Sequence, residues 1–206
     1  MLKFIKFTLM IIFINSCTGV VDDNGYLMPN KIDTSDITLD KLLKEDKKLN
    51  DGNIYISSII DARVAKKVNI ELKYLNGKVK NINLHIDSRG GWLKDTFDII
   101  DTMHNIATPV NVYVDDLCQS AGVLILISAT GTKYAFKDSR IVPHFNRPLN
   151  PEVNTQAYFD NIKFESIWRN KTKIPDSWYP LSGNRFINLT PTEALKYGII
   201  DKIVSK

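Results

Sequence analysis

The chain has 206 residues, 44% of them hydrophobic, enough for one domain of ordinary size with a real core. Its 27 basic and 23 acidic residues give a formal charge of +4, which falls to +2 if Lys3 and Lys6 leave with a leader. No basic block is long enough to argue for nucleic acid, and three scattered histidines with two cysteines show no metal-ligand spacing.

The N-terminus reads as an export signal. Met1 to Lys6 carries two lysines, Phe7 to Ile14 is almost wholly apolar, and Ser16-Cys17 follows. A basic start, a short apolar stretch and small residues describe a secretory leader, too short for a comfortable membrane span. The end on Ser16-Cys17 resembles a bacterial lipobox, although Asn15 departs from its small or apolar preference. That resemblance implies a signal peptide over 1–16, lipidation of Cys17 and a lipid-anchored protein of the bacterial cell envelope. With Cys17 acylated only Cys118 remains, so no intrachain disulfide forms.

Residues 17–53 are polar and turn-rich, with Asp22-Asp23-Asn24-Gly25 and Pro29-Asn30, and read as a tether and linker. Within it, 37–44 has the spacing of one short docking helix. The domain is expected over 54–206. Strands are expected at 54–60, 82–86, 110–114, 133–136, 140–142 and 199–204. Helices are expected at 62–75, 92–105, 121–129 and 151–170. The last helix starts at Thr190-Pro191-Thr192-Glu193, which offers a cap, a proline at the first position and a glutamate three residues after the cap. Alternating strands and helices imply an α/β fold of parallel βαβ units with right-handed crossovers.

The stretch from Asn83 to His144 holds the parts of a serine hydrolase. Ser88-Arg89-Gly90-Gly91 is a tight turn after a strand, where bare N–H groups can meet a developing oxyanion. Ser120 begins an apolar helix, near the positive end of its dipole, and is either a helix cap or an activated nucleophile. His144 is one candidate base; His85, beside the glycine turn, and His104, at a helix end, compete with it. Cys118 stands two residues before Ser120 and reads as a small buried residue in the strand-to-helix turn rather than a thiol nucleophile. No phosphate-binding glycine loop occurs, so the chain carries no ATPase of its own.

These residues resemble the proteolytic subunit of the Clp protease, a serine peptidase of the crotonase-like superfamily. The matching pieces are Ser88-Arg89-Gly90-Gly91, Asp101-Thr102-Met103, Gln119-Ser120-Ala121-Gly122 and Ser139-Arg140-Ile141-Val142-Pro143-His144, closed by the segment from Leu189 to Asp201. The resemblance covers roughly 54–204. It implies a single-domain crotonase-like spiral of βαβ units, Ser120 as nucleophile and His144 as base. Gly90 or Gly91 with the Ala121 N–H would form the oxyanion hole. Arg89 stands where the family has proline, and Pro143 is a further departure.

The family's third member, an aspartate that orients the histidine, is not matched. Counting back from Leu189-Thr190 places it on Ser182, with Asp176 and Asn184 as nearby substitutes. The segment from His144 to Thr172 is shorter than in the family, which implies weak ring stacking. The implied protein is a homo-oligomer that hydrolyses peptides or unfolded proteins without cofactor or metal. If exported, it has no ATPase partner. Three alternatives stand beside this reading: a degenerate Clp-like scaffold, a cytoplasmic or phage-type Clp subunit, and an acyl-CoA enzyme sharing the oxyanion hole.

Overall fold

The computed structural model describes residues 20–21, 27–28, 32–45, 47–146, 155–179 and 184–205. The leader, Cys17 and Ser182 lie outside these residues. The chain divides into two units, Met1–Ile32 and Asp33–Lys206. In the first, β1 (Val20–Val21) pairs antiparallel with β2 (Leu27–Met28).

The second unit takes in 33–53 as well as the segment expected to form the domain. Here α1 (Leu39–Glu45) is the short helix expected in the linker, and it buries Leu42. Ile37 and Leu49 are buried too. From there strand and helix alternate. β3 (Asn53–Ile56) leads to α2 (Ala62–Leu75), β4 (Ile82–Ser88), α3 (Leu93–Asn105), β5 (Val110–Gln119), α4 (Ala121–Ile127) and β6 (Lys133–Phe136). Asp61 caps α2, its carboxylate accepting from the N–H groups of Arg63 and Val64.

The sheet runs β10-β6-β5-β4-β3 and every pairing in it is parallel. β10 is Lys202–Val204, shorter than the 199–204 run of the sequence reading. Because β3 to β6 advance in one direction, right-handed crossovers place their helices on one face. Burial agrees. Ile54, Ile56, Leu84, Ile86, Val112 and Val114 face the helices and are fully buried. Their alternates on the other face are half-buried. These form two cross-strand rows: an amide row of Asn53, Asn83 and Asn111, and a stacked row of Tyr55, His85, Tyr113 and Tyr134.

Two features differ from the sequence reading and shape the site. β5 continues five residues past its expected end at 114, up to the candidate serine. Cys118 therefore lies inside this strand rather than in the turn after it. Past a register irregularity opposite Ile86 and Ser88, β5 exchanges β6 for β7 (Arg140–Val142) as its neighbour. The second feature is a small antiparallel pair of β8 (His144–Asn146) and β9 (Asn184–Phe186).

Between β8 and β9 lies α5 (Thr155–Lys171); the first four residues of the expected 151–170 helix lie outside the described residues. The helix packs Trp168 with Phe145 and Trp178 in an aromatic cluster. The final helix α6 (Pro191–Lys196) carries the expected capping box: Glu193 N–H to the Thr190 hydroxyl, and Thr190 N–H to the Glu193 carboxylate.

Candidate active site

Ser120 sits between the end of β5 and the start of α4. Its φ is 52° and its ψ is −121°, and among the described residues it is the one non-glycine residue with positive φ. A serine in this region costs on the order of 1–3 kcal/mol, and such strain concentrates at functional sites. The surroundings fix it: Ser120 N–H donates to Val142 O at 2.9 Å, and Ser120 O accepts from Val123 N–H at 3.0 Å. A sharp, strained strand-to-helix turn projects the hydroxyl away from the sheet, as a nucleophile requires. The hydroxyl caps no helical N–H, so the simple cap reading does not describe it.

β7 delivers the histidine. It runs beside the last residues of β5, and two residues after its end His144 brings Nδ1 to 3.3 Å from Ser120 Oγ. The contact is longer than an ordinary hydrogen bond, as catalytic contacts often are without substrate. Burial lowers the His144 pKa below its usual value, so the ring is neutral near pH 7 and able to accept a proton. Nε2 is buried and has no hydrogen-bond partner among the described residues.

The glycine turn presses against the serine. Gly90 has φ +90°, and a Cβ there would lie 2.7 Å from Gln119 O, 2.8 Å from Ala121 N and 2.9 Å from Ser120 Cβ. A Cβ on Gly91 would lie 2.0 Å from Ile60 O. The turn is pinned to Ile60 by two bonds of 2.9 Å: Ile60 N–H to Gly90 O and Trp92 N–H to Ile60 O. Gly90 N–H itself donates to Ser88 Oγ at 3.1 Å, and Ser88 donates in turn to Ser58 O. Among the described residues, the N–H groups of Gly91 and Ala121 carry no hydrogen bond. The second is an orphan donor of the first helical turn. Arg89 lines a crevice of about 370 Å³ with Asp87, Asp116 and Arg140, at the carboxyl ends of β3 to β5.

The competing residues have structural roles. His85 stacks between Tyr55 and Tyr113, and its Nδ1 is 2.9 Å from Asp115. His104 Nε2 meets Ser128 O at 2.9 Å. Cys118 is 0% exposed and burial pushes its thiol far above the usual range, which leaves it protonated and inert.

Of the candidates for the third member, Ser182 lies outside the described residues and Asp176 is turned away from His144. Asp176 pairs with Arg169, which also holds Glu165, and the Asp176 side chain is 86% exposed. Asn184 opens β9, its backbone paired with Asn146. Directly across from His144 in the β8–β9 register stands Phe186, whose ring lies flat on the imidazole. Sequence reasoning missed Phe186. The faint signal for it was Arg185-Phe186-Ile187, a short strand-like run before the Thr190 cap. No group of three or more His, Cys, Asp or Glu able to hold a metal occurs among the described residues.

Comparison with known proteins shows the family. Three curated proteins named ATP-dependent Clp protease proteolytic subunit are similar to the chain. That of Cyanophora paradoxa is 29% identical over 170 residues, 76% of this chain and 86% of the relative. That of Deinococcus radiodurans is 27% identical over 169 residues, covering 77% and 82%. That of Porphyromonas gingivalis is 26% identical over 196 residues, covering 89% and 87%. The family profile described as Clp protease matches residues 40–206, most of the chain and all of the site above, and the chain therefore belongs to the Clp protease family.

Proposed function

We propose that the protein is a serine-type endopeptidase acting through Ser120 and His144. The observation that carries this reading is Ser120, held in a strained strand-to-helix turn with Oγ 3.3 Å from His144 Nδ1. In the reaction Oγ attacks the scissile carbonyl carbon while its proton passes to Nδ1. The carbonyl oxygen becomes an oxyanion and accepts from the Gly91 and Ala121 N–H groups. Collapse breaks the C–N bond, and His144 returns the proton to the departing amine. Water, deprotonated by His144, then attacks the acyl-enzyme; the acid is released and Ser120 is restored. A fluorophosphonate serine probe tests the reading: it should label the wild type at Ser120 and leave Ser120→Ala unlabelled.

The reading extends to location. Lys3 and Lys6, the apolar run 7–14 and Ser16-Cys17 support export and acylation of Cys17. An envelope protein held by several acyl chains binds a membrane durably. It has no ATP supply, so its substrates are peptides or already unfolded proteins. The relatives' name, ATP-dependent, favours the other arrangement, a cytoplasmic subunit with an ATPase partner. The mass of the mature N-terminus separates the two. A degenerate scaffold is favoured by one observation, Asp176 being paired with Arg169 rather than His144; the absence of probe labelling would favour it further.

A further inference from the structure

Among the described residues, the imidazole of His144 has one close planar neighbour. The Phe186 ring lies 3.9 Å from it, centroid to centroid, with 5° between the planes. Aromatic pairs ordinarily sit at about 4.5–7 Å, offset or edge-on, because two neutral π faces repel when placed squarely over each other. A cationic ring reverses the sign, since the negative face of a phenyl ring attracts positive charge. The contact is therefore poor for neutral imidazole and good for imidazolium.

The backbone holds this arrangement firmly. Ile187 N–H donates to Pro143 O at 3.1 Å. Ile141 and Leu189 exchange bonds of 3.1 Å and 2.8 Å. These fasten the segment 186–189 along 141–144, with Phe186 opposite His144. Phe186 remains 51% exposed, so its ring is not needed to fill the core.

We propose that Phe186 is the positioning residue of the catalytic base: it holds the imidazole with Nδ1 toward Ser120 and attracts the imidazolium formed on proton transfer. This rests on the Ser120–His144 reading above. The contact strengthens as the ring becomes charged, so it favours the transition state over the ground state, which is what accelerates a step. It takes up part of the task of an orienting carboxylate, without a buried negative charge. Burial lowers the titration of the ring, and the stack acts against that lowering. Arg185, the neighbour in β9, points to Ser177 O.

The test compares Phe186→Leu, which keeps an apolar side chain and removes the π face, with Phe186→Tyr, which keeps the face. Two quantities are read on the full chain: the His144 titration by NMR, assigned with His144→Gln, and the rate of Ser120 labelling by a fluorophosphonate. The leucine variant should titrate about half a unit lower and label about tenfold more slowly, the rate change being about 1.4 kcal/mol. The tyrosine variant should match the wild type within about twofold in rate. An unchanged titration and rate in Phe186→Leu overturn the proposal, and so does a tyrosine variant as impaired as the leucine one. Failure of the wild type to label refutes the peptidase reading instead. The titration then decides alone, because it requires no turnover: a lower value in Phe186→Leu sustains the stack, and an unchanged one overturns it.

Discussion

Gly90→Ala isolates the contact between the glycine turn and the nucleophile. The added Cβ meets three atoms of the 119–121 backbone and Ser120 at 2.7–2.9 Å, closer than real Cβ atoms come, and none of them is the end of a flexible chain. Either the glycine turn or the serine turn has to move by several tenths of an ångström. A misplacement approaching 1 Å can lower a rate about 100-fold. The positive φ adds about 1–2 kcal/mol of its own for an L-residue. Gly77→Ala supplies the control. Its φ is +76°, but an added Cβ meets nothing within 4 Å, so it carries the conformational cost without the displacement. Thermal melts should show both variants destabilised, by about 2–4 °C per kcal/mol for a chain of this size. Kinetics on a small ester or peptide should separate them: kcat falls about 100-fold in Gly90→Ala and by less than about twofold in Gly77→Ala. Equal activity in the two would refute the argument that the turn is registered against Ser120.

Four further outcomes are expected. Because burial depresses the His144 pKa, ester hydrolysis should hold its plateau at neutral pH, and its acidic limb should fall below the ordinary histidine value of about 6.5. The same depression means the unfolded chain binds a proton before the folded one does. Stability contributed by this ring is therefore complete above about pH 6.5 and declines as pH drops toward the folded value, which denaturation of wild type and His144→Gln across pH 5–7 checks. Cys118, buried with its thiol protonated, should resist iodoacetamide in the native protein and react once unfolded, as peptide mapping will show; native labelling would mean an open site. Cys17→Ala should move the protein from the detergent to the aqueous phase on Triton partitioning, and unchanged partitioning and mass would contradict lipidation.

Where local chemistry dictates structure, the sequence was readable. The β-branched strands, the 62–75 helix and the Thr190 capping box were visible because each rests on neighbours in the chain. Ser120 stood out because an apolar helix follows it, yet its strain depends on β7 and the glycine turn and leaves no local trace. β5 reads short because Asp115-Asp116 breaks its apolar run; the structure turns Asp115 to His85 and continues. β8 and β9 were invisible for a related reason. Each is three residues long, one follows a proline, and their pairing spans some forty residues of chain. Phe186 could be found only through that register. Counting back from Leu189 leads to Ser182, outside the described residues, whereas the antiparallel pairing puts a ring directly over the base.

The central claim is that Ser120 and His144 form one catalytic unit. The most direct measurement is second-order labelling by a fluorophosphonate in wild type, Ser120→Ala, His144→Ala and the double variant, with ester turnover measured in parallel. Labelling should map to Ser120 alone and vanish with it. Turnover should collapse in either single variant, with little further loss in the double one, because the two act together. Turnover that survives Ser120→Ala undiminished, or losses that multiply in the double variant, would contradict the account.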